Sequence, residues 1–559
     1  MRRNQLASAL ALVVLGGLLA GCGGIPTSGS PVAGNVIDDD FELEIGDAPQ
    51  GPREGATQEE ILTDFISAAT NPAGDFKVAR QFLTEDFGTE WDPDEVVRVV
   101  SGAGTAIPVS DDVMDYSFST SASVDNLGHY SEESTAESAT LRFTFALERD
   151  EWRIAEAPPG IVVSENRFDN VFTEQALFFF DPTYRYLVPD VRWFPNQASV
   201  GTRVVASLLA GPSSWLGGGV TLSAFPPGTV LGPDAVSIVS GVARVDVSEE
   251  VTGASNTDRV RMRQQLATSL STVSSISSVE ITVDGVSISI PASGDTTANA
   301  SPQVDPLPLV MREGEFGFYG SGDLTPIKTL STRVVAVGAK AATLARGGTR
   351  AAVLGDGGVY AVGSGETEPV RVDTRVGLVA PSIDNAGYIW SVQRSKAASL
   401  KAFEADGTPH DIASALPPGA RVISMDVSRD GARIMLYLTT TGGPRLAYAG
   451  ITRQDSVPTG LGEIQWLPVG EGIPLDAAWS DDRTIATLAR SGTETMITSW
   501  PLGGPSETLG SLEDGSSIVG GNDGTAGLRV LTTSGELFRL RATVWTKTGI
   551  DASFIATQQ

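Results

Sequence analysis

Residues 428 to 434 read Ser-Arg-Asp-Gly-Ala-Arg-Ile. An Asp-Gly pair between polar and apolar residues is a tight-turn signal, because the aspartate side chain bonds its own backbone and glycine tolerates positive φ. The same design recurs on both sides of it. Gly347-Gly348-Thr349-Arg350, Asp384-Asn385-Ala386-Gly387, Ser480-Asp481-Asp482-Arg483 and Asn522-Asp523-Gly524-Thr525 each precede a short apolar run. Taking Gly348, Gly387, Gly431, Asp482 and Gly524 as equivalent points, the steps are 39, 44, 51 and 42 residues. Each step holds four short strands, the content of one propeller blade. A pair of β-sandwiches is the competing arrangement; the uneven spacing favours blades with loops of different length.

The stretch at 428–434 resembles the turn of TolB-type propeller repeats. Residues 301–559 are therefore expected to form a β-propeller, a region without helix signals. Upstream, residues 161–295 alternate between strand and helix. Leu177-Phe178-Phe179-Phe180-Asp181 and Tyr186-Leu187-Val188-Pro189 read as strands, and Arg203 to Ala210 as a helix stopped by Gly211-Pro212. Phe225-Pro226-Pro227-Gly228-Thr229 is followed by the strand Ala243 to Ser248, by a helix with Met262, Leu266, Leu270 and Val273 on one face, and by the strand Val279 to Asp284. This order resembles the GerMN domain family. Pro226 to Gly228 read as a turn, and Asp246 as a residue that satisfies one.

Residues 57–160 begin with Thr57-Gln58-Glu59-Glu60, a capping box ahead of Ile61, Leu62, Phe65 and Ile66 at helical spacing. A second helix carries Phe76, Ala79, Phe82 and Leu83, and Asp92-Pro93 is expected to start a third. Strands follow at Leu141 to Phe145 and Glu151 to Ala155. The unit resembles the cone-shaped nuclear-transport-factor-type superfold. The fold class is thus multidomain: two N-terminal α+β domains, then an all-β propeller.

The first residues, MRRNQLASALALVVLGGLLAGC, have the layout of a secretory signal: Arg2 and Arg3, an apolar run from Leu6 to Leu19, and small residues before Cys22. Fourteen residues make about 21 Å of helix, short of a hydrocarbon core of about 30 Å. Leu19-Ala20-Gly21-Cys22 resembles the bacterial lipoprotein box. That resemblance implies a signal peptide over 1–21, cleavage between Gly21 and Cys22, a diacylglyceryl group on the Cys22 sulfur and an N-acyl group on its amine. Cys22 is the sole cysteine of the 559 residues, so no disulfide forms within the chain. Residues 22–56 read as an acidic Gly/Pro/Ser linker with an r.m.s. span of roughly 30 to 35 Å. Residues 291–302 read as a second, shorter one.

The formal charge of −29 disfavours nucleic acid, whose phosphates need clustered Lys and Arg. Two histidines, His129 and His410, fall in different domains with no cysteine nearby, which leaves no zinc set of usual type. His129 reads as a surface-loop residue. His410 lies on a loop without a nucleophile-elbow signature. The acidic runs Asp38 to Asp40 and Asp481-Asp482 read as solvated turns. No catalytic residue, metal or cofactor is expected.

Lipobox, acidic linker, α+β unit, GerMN-like unit and propeller in this order resemble the LpqB lipoproteins of actinobacteria. The resemblance implies an accessory lipoprotein, not an enzyme, held by acyl chains on the extracytoplasmic face of the cell membrane. It further implies binding to the extracytoplasmic domain of the sensor kinase of the MtrA–MtrB two-component system, with effects on envelope and division. Binding of cell-wall glycan or peptide is the alternative.

Overall fold

The computed structural model describes residues 49–559 apart from 198, 233–235, 293–296 and 366–367. Cys22, Gly21, Asp38 to Asp40 and the rest of residues 22–48 of the first linker lie outside the described residues.

Thr57 starts the first domain as anticipated. Its Oγ1 accepts from the Glu60 amide at 3.3 Å, and its own amide donates to Glu60 Oε2 at 2.8 Å. The helix Gln58–Ala68 buries Ile61, Leu62, Phe65 and Ala68, and the Phe65 ring meets Trp91 edge-on at 5.3 Å. Beneath it lies a six-stranded sheet. Glu151–Glu156, Tyr130–Glu148, Val113–Asp125, Val96–Val100 and Ile161–Ser164 are neighbours in that order, and Thr105–Pro108 pairs with Val113–Asp125.

Two expectations fail here. Asp92-Pro93 opens no helix: Asp92 Oδ1 accepts the Asp94 amide at 2.9 Å, closing a turn, and the β-branched run that follows becomes the strand Val96–Val100. The boundary at residue 160 is also too early. Ile161–Ser164 pairs in parallel with Val97 to Val100, and Phe168 and Val171 of the helix Glu165–Val171 belong to the first core.

The second domain starts with an antiparallel ribbon, Phe172–Phe180 against Leu187–Pro195. Its four-stranded sheet runs Val286–Ser287, Ser278–Val283, Val242–Asp246, Ser237–Val239. The central pair is parallel, as a crossover through the helix Asn256–Ser269 requires. Met262, Leu266, Leu270 and Val273 all enter the core with Leu177, Phe179 and Leu208. Gly211, at φ 107°, ends the helix Val200–Ala210 where a side chain would be strained. Asp246 Oδ1 accepts from Thr282 Oγ1 at 2.6 Å and from the Gly285 amide at 2.9 Å, so it satisfies a turn. Past residue 296 the expected linker is packed: Ala298 is buried against Phe180 and Leu187, and the Leu187 amide donates to Asn299 O at 3.0 Å.

Beyond residue 308 the described strands form six blades around an axis, each of four strands except the fourth, where Gln465–Leu467 adds a fifth. The inner strands are Ala341–Leu344, Ser382–Ile383, Arg421–Val427, Ile473–Trp479 and Gly515–Val519 in blades two to six, each touching the next. Blade one takes its inner strand from the end of the chain. Phe554–Gln558 pairs antiparallel with Leu309 to Met311 and in parallel with Thr343 and Leu344. That closure rules out the paired sandwiches. All five turns read from the sequence join the first and second strands of blades two to six. The aspartates build them alike: Asp384, Asp430 and Asp481 each accept, through Oδ1, the amide two residues on, at 3.0, 2.8 and 2.8 Å. One helix does occur in this region, Leu330–Ala336, because Leu330 and Val334 fill the core beside blades one and two.

Candidate functional site: the axial well of the propeller

The turns between first and second strands, and those between third and fourth, lie on one face of a propeller, since successive strands reverse direction. The N-terminal domains sit on that face. Trp193 Nε1 donates to Gly503 O at 2.7 Å, Ser214 Oγ to Glu463 Oε2 at 2.6 Å, and Ser506 Oγ to Glu132 Oε1 at 3.0 Å. Arg483 pairs with Glu174 at 2.7 Å, and the Arg346 guanidinium lies 5.7 Å from the Tyr186 ring centroid. An apolar cluster joins Val188, Trp215, Leu216 and Val220 to Met435, Tyr448, Trp479 and Trp500 of blades four and five.

The same end of the axis is closed by polar contacts among the turns. Asn385 Nδ2 donates to Arg429 O at 2.5 Å and Arg429 Nη2 to Gly521 O at 2.9 Å. Gln559 Nε2 reaches Asp426 Oδ1 at 3.0 Å and Val427 O at 2.9 Å. What remains is a blind well of about 510 Å³, open on the opposite face. Lys340, Thr533, Ser534 and Ser553 stand exposed at its rim, and Thr343, Ser424 and Asp426 line the wall.

The wall is polar and its carboxylates are perturbed. Burial pushes Asp426 up to about 7, against the pull of Ser382 Oγ and the Arg429 charge. Burial likewise pushes Asp476 up to about 6, although the Ile518 and Ala477 amides both donate to it. Such a well can take hydrogen-bonding groups of a ligand or of a partner's side chain, with Asp426 switching from donor to acceptor near neutral pH.

The histidines stand apart from it. His410 is on the edge strand Pro409–Asp411 of blade three, not on a loop, with Nε2 at 2.9 Å from Glu404 Oε1 and its ring edge-on to Tyr388. His129 is no free surface residue: Nδ1 lies 2.7 Å from Asp125 Oδ2 and Nε2 lies 2.9 Å from Ser213 Oγ of the second domain. This Asp–His–Ser relay escaped the sequence reading, because 84 residues separate His129 from Ser213. Ser213 Oγ donates to Asp190 Oδ1 at 2.6 Å, so its proton is directed away from His129. Burial raises Asp125, but the hydrogen bonds and charge of His129 hold it below an ordinary aspartate. Asp481 and Asp482 serve the turn of blade five, Asp482 raised by burial and its carbonyl accepting from Arg433 at 2.6 Å. Among the described residues no group of three His, Cys, Asp or Glu side chains could hold a metal ion.

Residues 51–169 match the family model described as the N-terminal domain of lipoprotein LpqB, and residues 319–549 match that of the LpqB beta-propeller domain. Together the two models take in more than half of the chain. It belongs to the LpqB lipoprotein family. Between them, residues 176–289 match the Germane model, described as sporulation and spore germination, so the LpqB middle domain is GerMN-like. The LpqB protein of Cutibacterium acnes is 24% identical over 506 residues, 85% of each chain. That of Thermobifida fusca is 26% identical over 54% of this chain and 50% of its own. The Mycobacterium paratuberculosis LpqB is 30% identical over 40% of this chain and 38% of its own, so in these two alignments the chain spans half or less of the relative. Among solved structures, the first GerMN domain of GerM from Bacillus subtilis is 24% identical, covering 22% of this chain and 94% of that one, with a TM-score of 0.19. No helix among the described residues is long and apolar enough to cross a membrane.

Proposed function

We propose that this LpqB-family chain is a binding protein, fastened to the extracytoplasmic side of the cell membrane by acyl groups on Cys22. Its partner in this reading is the extracytoplasmic domain of the sensor kinase of the MtrA–MtrB system, whose signalling it modulates. The contact is the open face of the propeller. What supports this placement is the arrangement of the domains: the turn face carries the GerMN-like domain, while the rim of the well is exposed. Confinement to one surface raises the effective concentration of a membrane-bound partner, so a modest affinity suffices.

The test is capture of the kinase ectodomain by the full chain. Lys340→Glu combined with Ser534→Arg should lower capture by about tenfold or more, as loss of a central contact does; unchanged capture rejects the open face as the contact. The anchor is tested separately. Mass spectrometry should find Cys22 acylated, and Cys22→Ser should move the protein to the soluble fraction.

A second reading is favoured by the hydroxyl- and carboxyl-lined wall of the well, which suits a polyhydroxylated ligand such as wall glycan. Sedimentation with purified cell wall that Asp426→Asn abolishes, with kinase capture unaffected, would favour it over the first.

A further inference from the structure

Arg433, the sixth residue of the stretch that marks the propeller repeat, is wholly buried at 0% exposure. A guanidinium stays charged at any pH the protein meets, so burial cannot be relieved by losing the proton. Nη2 is satisfied by the Asp430 carboxylate and by Asp482 O, and the group lies 5.1 Å from the Trp479 ring centroid. Its Nε and Nη1 have no partner among the described residues.

Arg433 lines a cavity of about 150 Å³ where all three domains meet. His129 comes to it from the first domain, Ser213 and Trp215 from the second, and Tyr448 and Arg483 from the propeller. The carboxylates beside it are already engaged. Asp190 accepts from Arg192 Nη2 at 2.8 Å, from the Ser213 amide at 2.8 Å and from Ser213 Oγ at 2.6 Å. Glu463 accepts from Ser214 Oγ, and Asp430 accepts from Ser428 Oγ and the Ala432 amide as well as from Arg433. Donors of a permanent cation are left over: the carboxylates of Glu463 and Asp482 keep accepting capacity, yet none of their oxygens bonds Nε or Nη1. What is missing is an acceptor oxygen within reach of those two donors, at a site with room for a few waters or one small oxyanion.

We infer that this junction binds a small oxyanion, a carboxylate or a phosphate, whose oxygens accept from Nε and Nη1 of Arg433. Because the cavity wall is shared, the bound oxyanion ties the GerMN-like domain to blades four and five. Occupancy then stiffens the docking of the N-terminal domains, a coupling that follows from binding the docked state alone.

The experiment titrates sodium acetate and sodium phosphate separately into the full chain, with sodium chloride holding the ionic strength constant. Isothermal calorimetry reads binding, and hydrogen exchange reads protection over 213–216 and 433–437. The expected result is one saturable site for at least one of the two anions, with a Kd of about 1 mM or tighter. Which anion binds identifies the oxygen chemistry. Arg433→Lys keeps the charge but loses the planar donor set, and should weaken binding by about tenfold or more. No saturation with either anion, or equal affinity in a folded Arg433→Lys protein, overturns the proposal and leaves the cavity to water. Should that variant fail to fold, protection over 213–216 decides: anion-dependent slowing of exchange supports the site, and its absence rejects it.

Discussion

Arg429 Nη2 donates to the carbonyl oxygen of Gly521 at 2.9 Å, a bond between the turns of blades four and six that passes over blade five. Its own carbonyl accepts from Asn385 of blade three. Three turns are thereby laced over the closed end of the well by one side chain and one peptide group. Burial pulls Arg429 below an ordinary arginine, while Asp426, Asp481 and Asp482 pull it back. Arg429→Met should remove a charge-assisted bond worth about 1.5–3 kcal/mol and also a counter-charge of Asp426. Faster hydrogen exchange in the turns at 385–388 and 521–524, with a lower melting temperature of the propeller, is the expected outcome.

The stability of the propeller should fall as pH rises through the range set by Asp426. An aspartate raised from 3.8 to about 7 on folding binds more protons in the native than in the unfolded state across that interval. Stability from this group is full below about pH 4 and declines up to about pH 7, by at most about 1.4 kcal/mol per pH unit. Asp476, raised to about 6, adds to the same slope. Asp426→Asn keeps the Oδ1 acceptor used by Ser382 and Gln559 and abolishes the charge. Melting curves from pH 4 to 8 should therefore be flatter for Asp426→Asn than for the parent, and parallel curves would contradict the assignment.

Docking of the GerMN-like domain depends on a position with no side chain. A Cβ on Gly450 would lie 2.5 Å from Val220 Cγ1 and 2.8 Å from Trp215 O. Trp215 in turn meets Tyr448 edge-on at 4.9 Å. Gly450→Ala should then force the second domain off blade four at a cost of about 1–3 kcal/mol. Cleavage by protease between the domains should quicken while the propeller's own melting is little changed.

What could be read beforehand was what is local. Thr57 and Glu60 are three residues apart, Asp430 bonds an amide two residues on, and Met262 and Leu266 share one helix face, although the helix stops at Ser269 and Val273 reaches the core from the turn beyond; each signal and its structural effect fall within one window of sequence. Most of the misses involve distant partners. Ile161–Ser164 is a strand because Val97 to Val100 lie beside it, and Val96–Val100 escapes the helical start offered by Asp92-Pro93 because Val113–Asp125 pairs with it. The well could be anticipated only as the axis of a propeller. Its perturbed carboxylates could not, since Asp426 owes its state to burial among blades. The unmet donors of Arg433 depend on a domain packed over it from more than 200 positions upstream.

Closure of the ring by the last strand carries the strongest mechanical consequence. Ile555, 7% exposed, faces Val310 across the antiparallel ladder, and Ala556 faces Leu309. The same strand also touches the inner strand of blade two, so it links the start of the propeller to its end through backbone ladders on both sides. Ile555→Asp would bury a carboxylate with no partner where Val310, Val519 and Leu531 now pack. The penalty should reach several kcal/mol, about 3 or more, well above that of an exposed substitution such as Val544→Asp. The opened ring would present the unpaired edges of blades one and two, a template for association between chains. Size-exclusion chromatography of Ile555→Asp should show aggregates or a lower melting temperature for the propeller, with Val544→Asp unchanged. A normally melting, monomeric Ile555→Asp protein would mean that blade one holds its place without the terminal strand.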